Sequence, residues 1–122
     1  MERSADEQFL HDWVIRQINR KYSRLYSEVH INPGNEKNYD FKEQYPDAVF
    51  VNYGQVVQIV EVETSETVLP DTAGKWKQLS ELGVKLSLLV PKESQGEARD
   101  ICWKSDLAAK VNISTYDVNI TI

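Results

Sequence analysis

Three acidic side chains fall within or beside apolar stretches between residues 45 and 64. Asp47 follows Pro46, and Glu61 and Glu63 are two residues apart at the end of the apolar run Val56–Val62. Because the side chains of a strand alternate between its faces, Glu61 and Glu63 share one face. A buried carboxylate is costly unless it is paired or bound to a cation. The pattern therefore predicts a cation site or a strand end that meets water.

The apolar runs on either side of Asn52-Tyr53-Gly54 predict two strands of a β-hairpin. A three-residue loop with Gly54 in the left-handed conformation sets Asp47 opposite Ile59 and diagonal to Glu61. In that register the two acids share a face with α-carbons about 7–8 Å apart, and they can hold one divalent cation between them. A two-residue loop would instead put the two acids on opposite faces.

These residues resemble the signature of the PD-(D/E)xK nuclease superfamily, which has the restriction-endonuclease-like fold. The matching features are Pro46-Asp47, a hairpin, and then Glu61-Val62-Glu63, a variant ExE form of the motif. The resemblance implies that Asp47, Glu61 and the backbone carbonyl of Val62 bind Mg²⁺ or Mn²⁺. The third motif position, usually Lys, is Glu63 here, which implies that Glu63 binds a second ion or orients the attacking water.

The resemblance also implies contributions from the two neighbouring helices. Some superfamily members carry the missing lysine on the following helix, where Lys75 is the candidate for neutralising transition-state charge. Gln78 on the same helix is a candidate for binding phosphate. Many members add a glutamate from the first helix near the metal, and Glu7 is the candidate, although its position three residues after Ser4 is also explained by a capping box.

The remaining elements follow from periodicity and turn chemistry. Ser4 begins a helix that is predicted to end at about Tyr26, with an apolar face that includes Phe9, Trp13 and Ile18. The pattern further predicts strands over Ser27–Asn32, Val84–Val90 and Val111–Tyr116, a helix from Asp71 or Thr72 to Leu82, and a helix that begins at Ser94. The order αβββαβαβ predicts an α/β fold in which a central mixed sheet of about five strands is flanked by helices, as in the superfamily core.

Length and composition predict one globular domain over residues 1–122. The single cysteine, Cys102, excludes an internal disulfide and favours the cytoplasm. The polar N-terminus does not resemble a signal peptide, and no apolar run is long enough for a membrane span. The net charge of −5 argues against avid nonspecific binding of nucleic acid.

Two further groups of side chains bear on binding. The polar face of the first helix carries Arg16, Arg20, Lys21 and Arg24, which are either solvated or track a phosphate backbone. His11 and His30 do not have metal-ligand spacing, and they are expected to be ordinary surface or boundary residues.

Three functional hypotheses remain open. The first is a metal-dependent nuclease that hydrolyses DNA or RNA, acting as a homodimer or as a component of a larger complex. The second is a catalytically inactive nuclease-like module that binds protein or nucleic acid, which the missing motif lysine and the acidic balance favour. In the third, Glu61 and Glu63 are acids at a solvated strand end, paired with Lys75 or Lys85.

Overall fold

A five-stranded mixed β-sheet organises the chain, with one helix on one face and two on the other. The computed structural model describes residues 3–119. Its α-helices and strands, in chain order, are α1 (Ala5–Tyr22), β1 (Glu28–Ile31), β2 (Ala48–Asn52), β3 (Gln55–Val62), α2 (Ala73–Ser80), β4 (Lys85–Pro91), α3 (Gln95–Lys104) and β5 (Val111–Tyr116). The predicted α/β class and the element order αβββαβαβ are confirmed.

The strands lie side by side in chain order. β1, β2 and β3 pair antiparallel, whereas β3, β4 and β5 pair parallel. α2 and α3 are the crossovers of the parallel part, so both pack on one face of the sheet, and α1 packs on the other. No helix among residues 3–119 combines the length and apolar character needed to cross a membrane.

Helix α1 begins as predicted but buries a different stripe. Ser4 caps it by accepting a hydrogen bond from the Glu7 backbone N at 3.3 Å, and the helix ends at Tyr22 rather than near Tyr26. Phe9 and Trp13 were expected to be buried, yet they are 73% and 43% exposed. A single helix meets the sheet along one narrow stripe at spacings of three and four residues, and here that stripe is His11, Val14, Ile15 and Ile18.

The loop of the β2–β3 hairpin has two residues, so the predicted three-residue loop is wrong. Asn52 pairs with Gln55, and Tyr53 and Gly54 between them have φ angles of +52° and +81°. Positive φ at both central residues is what a two-residue hairpin turn needs to match the twist of the strands.

A β-bulge restores the shared face of the two acids, which the two-residue loop alone would remove. The register shifts between Phe50 and Val51, and from there Ala48 pairs with Val60. Continued by one residue, this register sets Asp47 opposite Glu61 rather than opposite Ile59. The bulge adds the residue that the turn lacks, so the two acids still lie on one face.

Asn32, just after β1, fixes the segment that carries Asp47. Its backbone N donates to the Asp47 carbonyl at 3.0 Å, and its side-chain Nδ2 donates to the Pro46 carbonyl at 2.7 Å and the Tyr39 carbonyl at 3.0 Å. Its Oδ1 accepts from the backbone N of Asn38 and of Tyr39. One buried amide therefore joins β1, the loop over residues 33–46 and the start of β2.

Replacing this amide tests the arrangement. Asn32→Ala leaves two carbonyls and two backbone N–H groups without their partner, so we expect the free energy of unfolding to fall by about 2–4 kcal/mol. Urea denaturation followed by circular dichroism measures this loss. The exposed Asn112→Ala is the matched control and should change stability by less than about 0.5 kcal/mol. Equal effects of the two substitutions would contradict the assignment.

Candidate functional site

Asp47 and Glu61 bind each other's backbone at the ends of β2 and β3. The Asp47 backbone N donates to Glu61 Oε1 at 2.9 Å, and the Val62 backbone N donates to Asp47 Oδ2 at 2.8 Å. Asp47 is 7% exposed and Glu61 is 1% exposed. Both carboxylates thus lie inside the protein, one from each of two neighbouring strands.

Lys75 reaches this pair from the first turn of α2. Its Nζ lies 2.9 Å from Glu61 Oε2, at ion-pair distance, while its own side chain is 60% exposed. The contact does not have the geometry of a hydrogen bond, and within residues 3–119 the buried Oε2 accepts none. The negative charge of Glu61 raises the pKa of Lys75, so this lysine stays protonated.

Burial gives Glu61 an unusual proton affinity. Desolvation and the negative charges of Asp47 and Glu63 together raise the pKa of Glu61 to about 8, because the charge of Lys75 offsets them only in part. The carboxyl of Glu61 therefore ionises less readily than a carboxyl in water, and Lys75 is the cation that lies beside it.

Glu63 is buried on the same face but is engaged elsewhere. Its Oε2 accepts a 2.6 Å hydrogen bond from the indole Nε1 of Trp76, and its Oε1 accepts from Thr67 Oγ1 at 2.9 Å and from Arg3 Nη2 at 3.1 Å. Burial raises the pKa of Glu63, although the hydrogen bond from Trp76 opposes that rise. With both oxygens occupied, Glu63 is held against α2 and the N-terminal arm.

His11 is a site residue that the sequence did not reveal, and its expected surface position is wrong. It is 4% exposed. Its Nε2 lies 3.1 Å from Asp47 Oδ2 and its Nδ1 lies 2.9 Å from Asp12 Oδ1. Burial alone would lower the pKa of His11, but the hydrogen bonds that its ring donates to Asp47 and Asp12, together with the charge of Asp47, raise it above its ordinary value. His11 therefore links α1 to Asp47.

Arg3 is the second residue that the sequence did not reveal. It precedes the N-cap of α1, and its guanidinium donates to the Val62 carbonyl at 3.3 Å as well as to Glu63. Further donation goes to the hydroxyls of Thr64 and Thr67. Arg3 lies 59 to 64 positions from these partners, and no local pattern reports a contact over that separation.

The remaining sequence candidates lie outside this group. Glu7 Oε1 accepts hydrogen bonds from Ser65 Oγ and the Glu66 backbone N, so its carboxylate fastens the loop after β3 and does not contact Asp47 or Glu61. His11, one turn further along α1, makes the contact that was expected of Glu7. Gln78 is exposed on α2, and Arg16, Arg20 and Arg24 are also exposed, without ion pairs in the part of the chain that the structure describes.

A small cavity of about 190 Å³ lies beside the group. Its lining contains both basic residues of the site, and consists of Arg3, Glu63, Thr67, Asp71, Thr72 and Lys75. Solvent thus reaches Glu63 from the side of α2, whereas Asp47 and Glu61 do not line this cavity.

The donor set suits a hard divalent cation held by few protein ligands. Residues 3–119 contain no group of three or more His, Cys, Asp or Glu side chains arranged around one ion. Mg²⁺ is usually bound through one or two carboxylates and keeps several waters, so Asp47 and Glu61 supply enough oxygen ligands. The orphaned Oε2 of Glu61 is the atom that most needs such an ion. The Val62 carbonyl, expected as a third ligand, accepts from Arg3 instead.

Comparison with protein-family models, with curated proteins and with solved structures gives no match to this chain. The function therefore has to be argued from the geometry of the site.

The raised pKa of Glu61 predicts a pH-dependent stability. Between about 4.5 and about 8, the folded protein holds a proton that the unfolded chain releases, so the free energy of unfolding falls as pH rises. Glu61→Gln cannot ionise, and we expect it to lower this slope by up to about 1.4 kcal/mol per pH unit. Urea denaturation at several pH values measures both slopes. Identical slopes would show that Glu61 ionises as freely as in the unfolded chain.

Proposed function

We propose that the protein is a metal-dependent nuclease, a phosphodiesterase acting on DNA or RNA, with a restriction-endonuclease-like core. The observation that carries the proposal is the burial of Asp47 and Glu61 side by side on neighbouring strands, with Lys75 Nζ 2.9 Å from Glu61 Oε2, an oxygen that accepts no hydrogen bond from residues 3–119. The element order and the mixed sheet agree with such a core.

In this proposal Asp47 and Glu61 hold one Mg²⁺ or Mn²⁺ ion. When bound, the ion polarises the scissile phosphate and lowers the pKa of the attacking water. The ammonium of Lys75, 2.9 Å from Glu61 and largely exposed at the cavity, neutralises charge on the phosphate as it develops. Gln78 is exposed on the same helix and is left as a candidate for a more distant phosphate.

Two side chains, His11 and Glu63, hold the proposed ligands or their strand in place. His11 fixes the orientation of Asp47 through the 3.1 Å contact with Oδ2, as partners of ligating carboxylates commonly do. Glu63, with both oxygens hydrogen-bonded, is assigned a structural role that holds β3 against Trp76. Its expected roles, as a ligand of a second ion or in orienting the attacking water, would require those bonds to break, and so we do not build on them.

Nucleic acid would reach the site along exposed basic side chains. Arg16 and Arg20 lie on α1 and Arg24 just beyond it, all exposed, and they are the candidates for phosphate contacts. Because the net charge is −5, one chain offers too little basic surface to bind a duplex tightly. A homodimer, or a place in a larger complex, would supply that surface. A cytoplasmic location is part of the same proposal.

A second candidate is a nuclease-like module that binds protein or nucleic acid without cleaving it. Two basic side chains, Lys75 and Arg3, already contact Glu61 and Glu63, so the acids have internal counter-charges. In such a module the cluster would be structural, and added Mn²⁺ would not stabilise the protein. The effect of Mn²⁺ on stability separates the two candidates, because a ligand that binds only the native state must raise stability.

Isosteric substitutions test the nuclease. We expect single- or double-stranded DNA or RNA to be cleaved in the presence of Mn²⁺ or Mg²⁺. Asp47→Asn and Glu61→Gln each remove an ion ligand, which is worth several kcal/mol of transition-state stabilisation, so the rate should fall by on the order of a hundredfold or more. Gel assays with labelled oligonucleotides measure the rates.

The matched control is Glu97→Gln, which neutralises an exposed acid on α3 and should leave cleavage unchanged. Cleavage that survives at full rate in both Asp47→Asn and Glu61→Gln would remove these residues from the reaction. Absence of both Mn²⁺-dependent stabilisation of the wild type and cleavage of any of the four substrates would favour the binding module.

A further inference from the structure

The guanidinium of Arg3 occupies a position beside the proposed ion ligands. Its Nη2 is shared among the Val62 carbonyl, Glu63 Oε1 and Thr67 Oγ1, and its Nε donates to Thr64 Oγ1. The Arg3 side chain is 14% exposed. The guanidinium of Arg3 thereby neutralises the charge of Glu63 and occupies the Val62 carbonyl as a hydrogen-bond donor.

We propose that Arg3 is an internal competitor of the divalent cation, so that the docked Arg3 side chain and the bound ion exclude each other. The proposal rests on the proposed function, since it assumes the ion that Asp47 and Glu61 would hold. Occupancy of the ion site then depends on whether the Arg3 side chain is docked.

Distance is the basis of the competition. Arg3 Nη2 lies 3.3 Å from the Val62 carbonyl oxygen, and Mg²⁺ takes oxygen ligands at about 2.1 Å. An ion and a guanidinium on this one oxygen could be no further than about 5.4 Å apart, where two positive charges repel strongly in a site that excludes most water. The competition therefore concerns an ion that takes the Val62 carbonyl as a ligand beside Asp47 and Glu61.

Arg3 can leave without unfolding α1. It precedes the N-cap residue Ser4, so no helical hydrogen bond depends on its side chain. The helix start stays fastened to the loop after β3 through the Ser4 backbone N to Glu66 Oε1 at 2.7 Å and through Glu7 to Ser65. Glu63 keeps its hydrogen bonds from Trp76 and Thr67. The loss on release is confined to the bonds of one guanidinium.

Titration with Mn²⁺ alone tests the competition, with the full chain and isothermal calorimetry. Arg3→Gln removes the charge, and we expect it to bind Mn²⁺ at least tenfold more tightly than the wild type, while Arg3→Lys stays close to the wild type. Arg99→Gln, which removes an exposed charge from α3, is the matched control and should bind as the wild type does. The double variant Arg3→Gln/Glu61→Gln should lose the gain, because Glu61 is one of the two ion ligands.

A second measurement uses the wild-type chain and does not depend on the folding of a variant. The Nε–H of Arg3 donates to Thr64 Oγ1 in the docked state, so its ¹H–¹⁵N resonance, assigned by its absence in Arg3→Lys, should move to the position of a solvated arginine as Mg²⁺ is added. Mg²⁺ should leave this resonance unchanged in Glu61→Gln.

The outcomes separate this inference from the proposed function. Equal Mn²⁺ affinity of the wild type and Arg3→Gln, or an Arg3 resonance that does not move at saturating Mg²⁺, would overturn the competition and leave the ion site intact. Absence of Mn²⁺ binding by the wild type, Arg3→Gln and Arg3→Lys alike would overturn the ion site itself, and the competition with it.

Discussion

The burial of Asp47 and Glu61 at the ends of two neighbouring strands is the constraint on which the site depends. Each carboxylate accepts a hydrogen bond from the backbone of the other strand, so the acids continue the pairing of β2 and β3 past its last regular partners. These bonds fix both side chains, and His11 and Lys75 add one contact each, yet burial of a carboxylate remains costly. Desolvation accordingly raises the pKa of Glu61 to about 8.

Neighbouring elements position the two buried acids and bring basic side chains to them. The bulge in β2–β3 brings the two acids to one face, and Asn32 holds the segment that carries Asp47. His11 approaches from the α1 side, whereas Lys75 approaches from α2 on the opposite side of the sheet. The acids thus lie at the ends of two neighbouring inner strands, where a side chain from each helical layer reaches them.

Much of the fold could be read from the sequence, because the signals for it are local. The cap at Ser4, the apolar strands and the periodicity of the helices predicted the elements and their order. The hairpin register could not be read in the same way. Both a three-residue loop and a two-residue loop with a bulge fit the turn sequence and leave Asp47 and Glu61 on one face, and packing of the sheet decides between them.

The sequence predicted only those site residues that belong to the motif or to the helix that follows it. Asp47, Glu61 and Lys75 were expected from the motif and its spacing, and the structure brings them together. His11 was missed because helical periodicity shows which residues share a face but not which of two similar stripes meets the sheet. Arg3 was missed because its partners lie 59 to 64 positions away. The one usable signal for His11 was its spacing of four residues from Glu7, which puts both on the same side of α1.

The two basic residues of the site are not equivalent, and the difference bears on how a divalent ion could be accommodated. Lys75 contacts an oxygen with which it makes no hydrogen bond, and its side chain is 60% exposed, so moving aside costs it little. Arg3 makes four hydrogen bonds and is 14% exposed, so its displacement requires a stronger competitor. In the proposed function, an ion bound to Glu61 would displace Lys75 from Oε2, whereas an ion that also used the Val62 carbonyl would require Arg3 to release its hydrogen bonds.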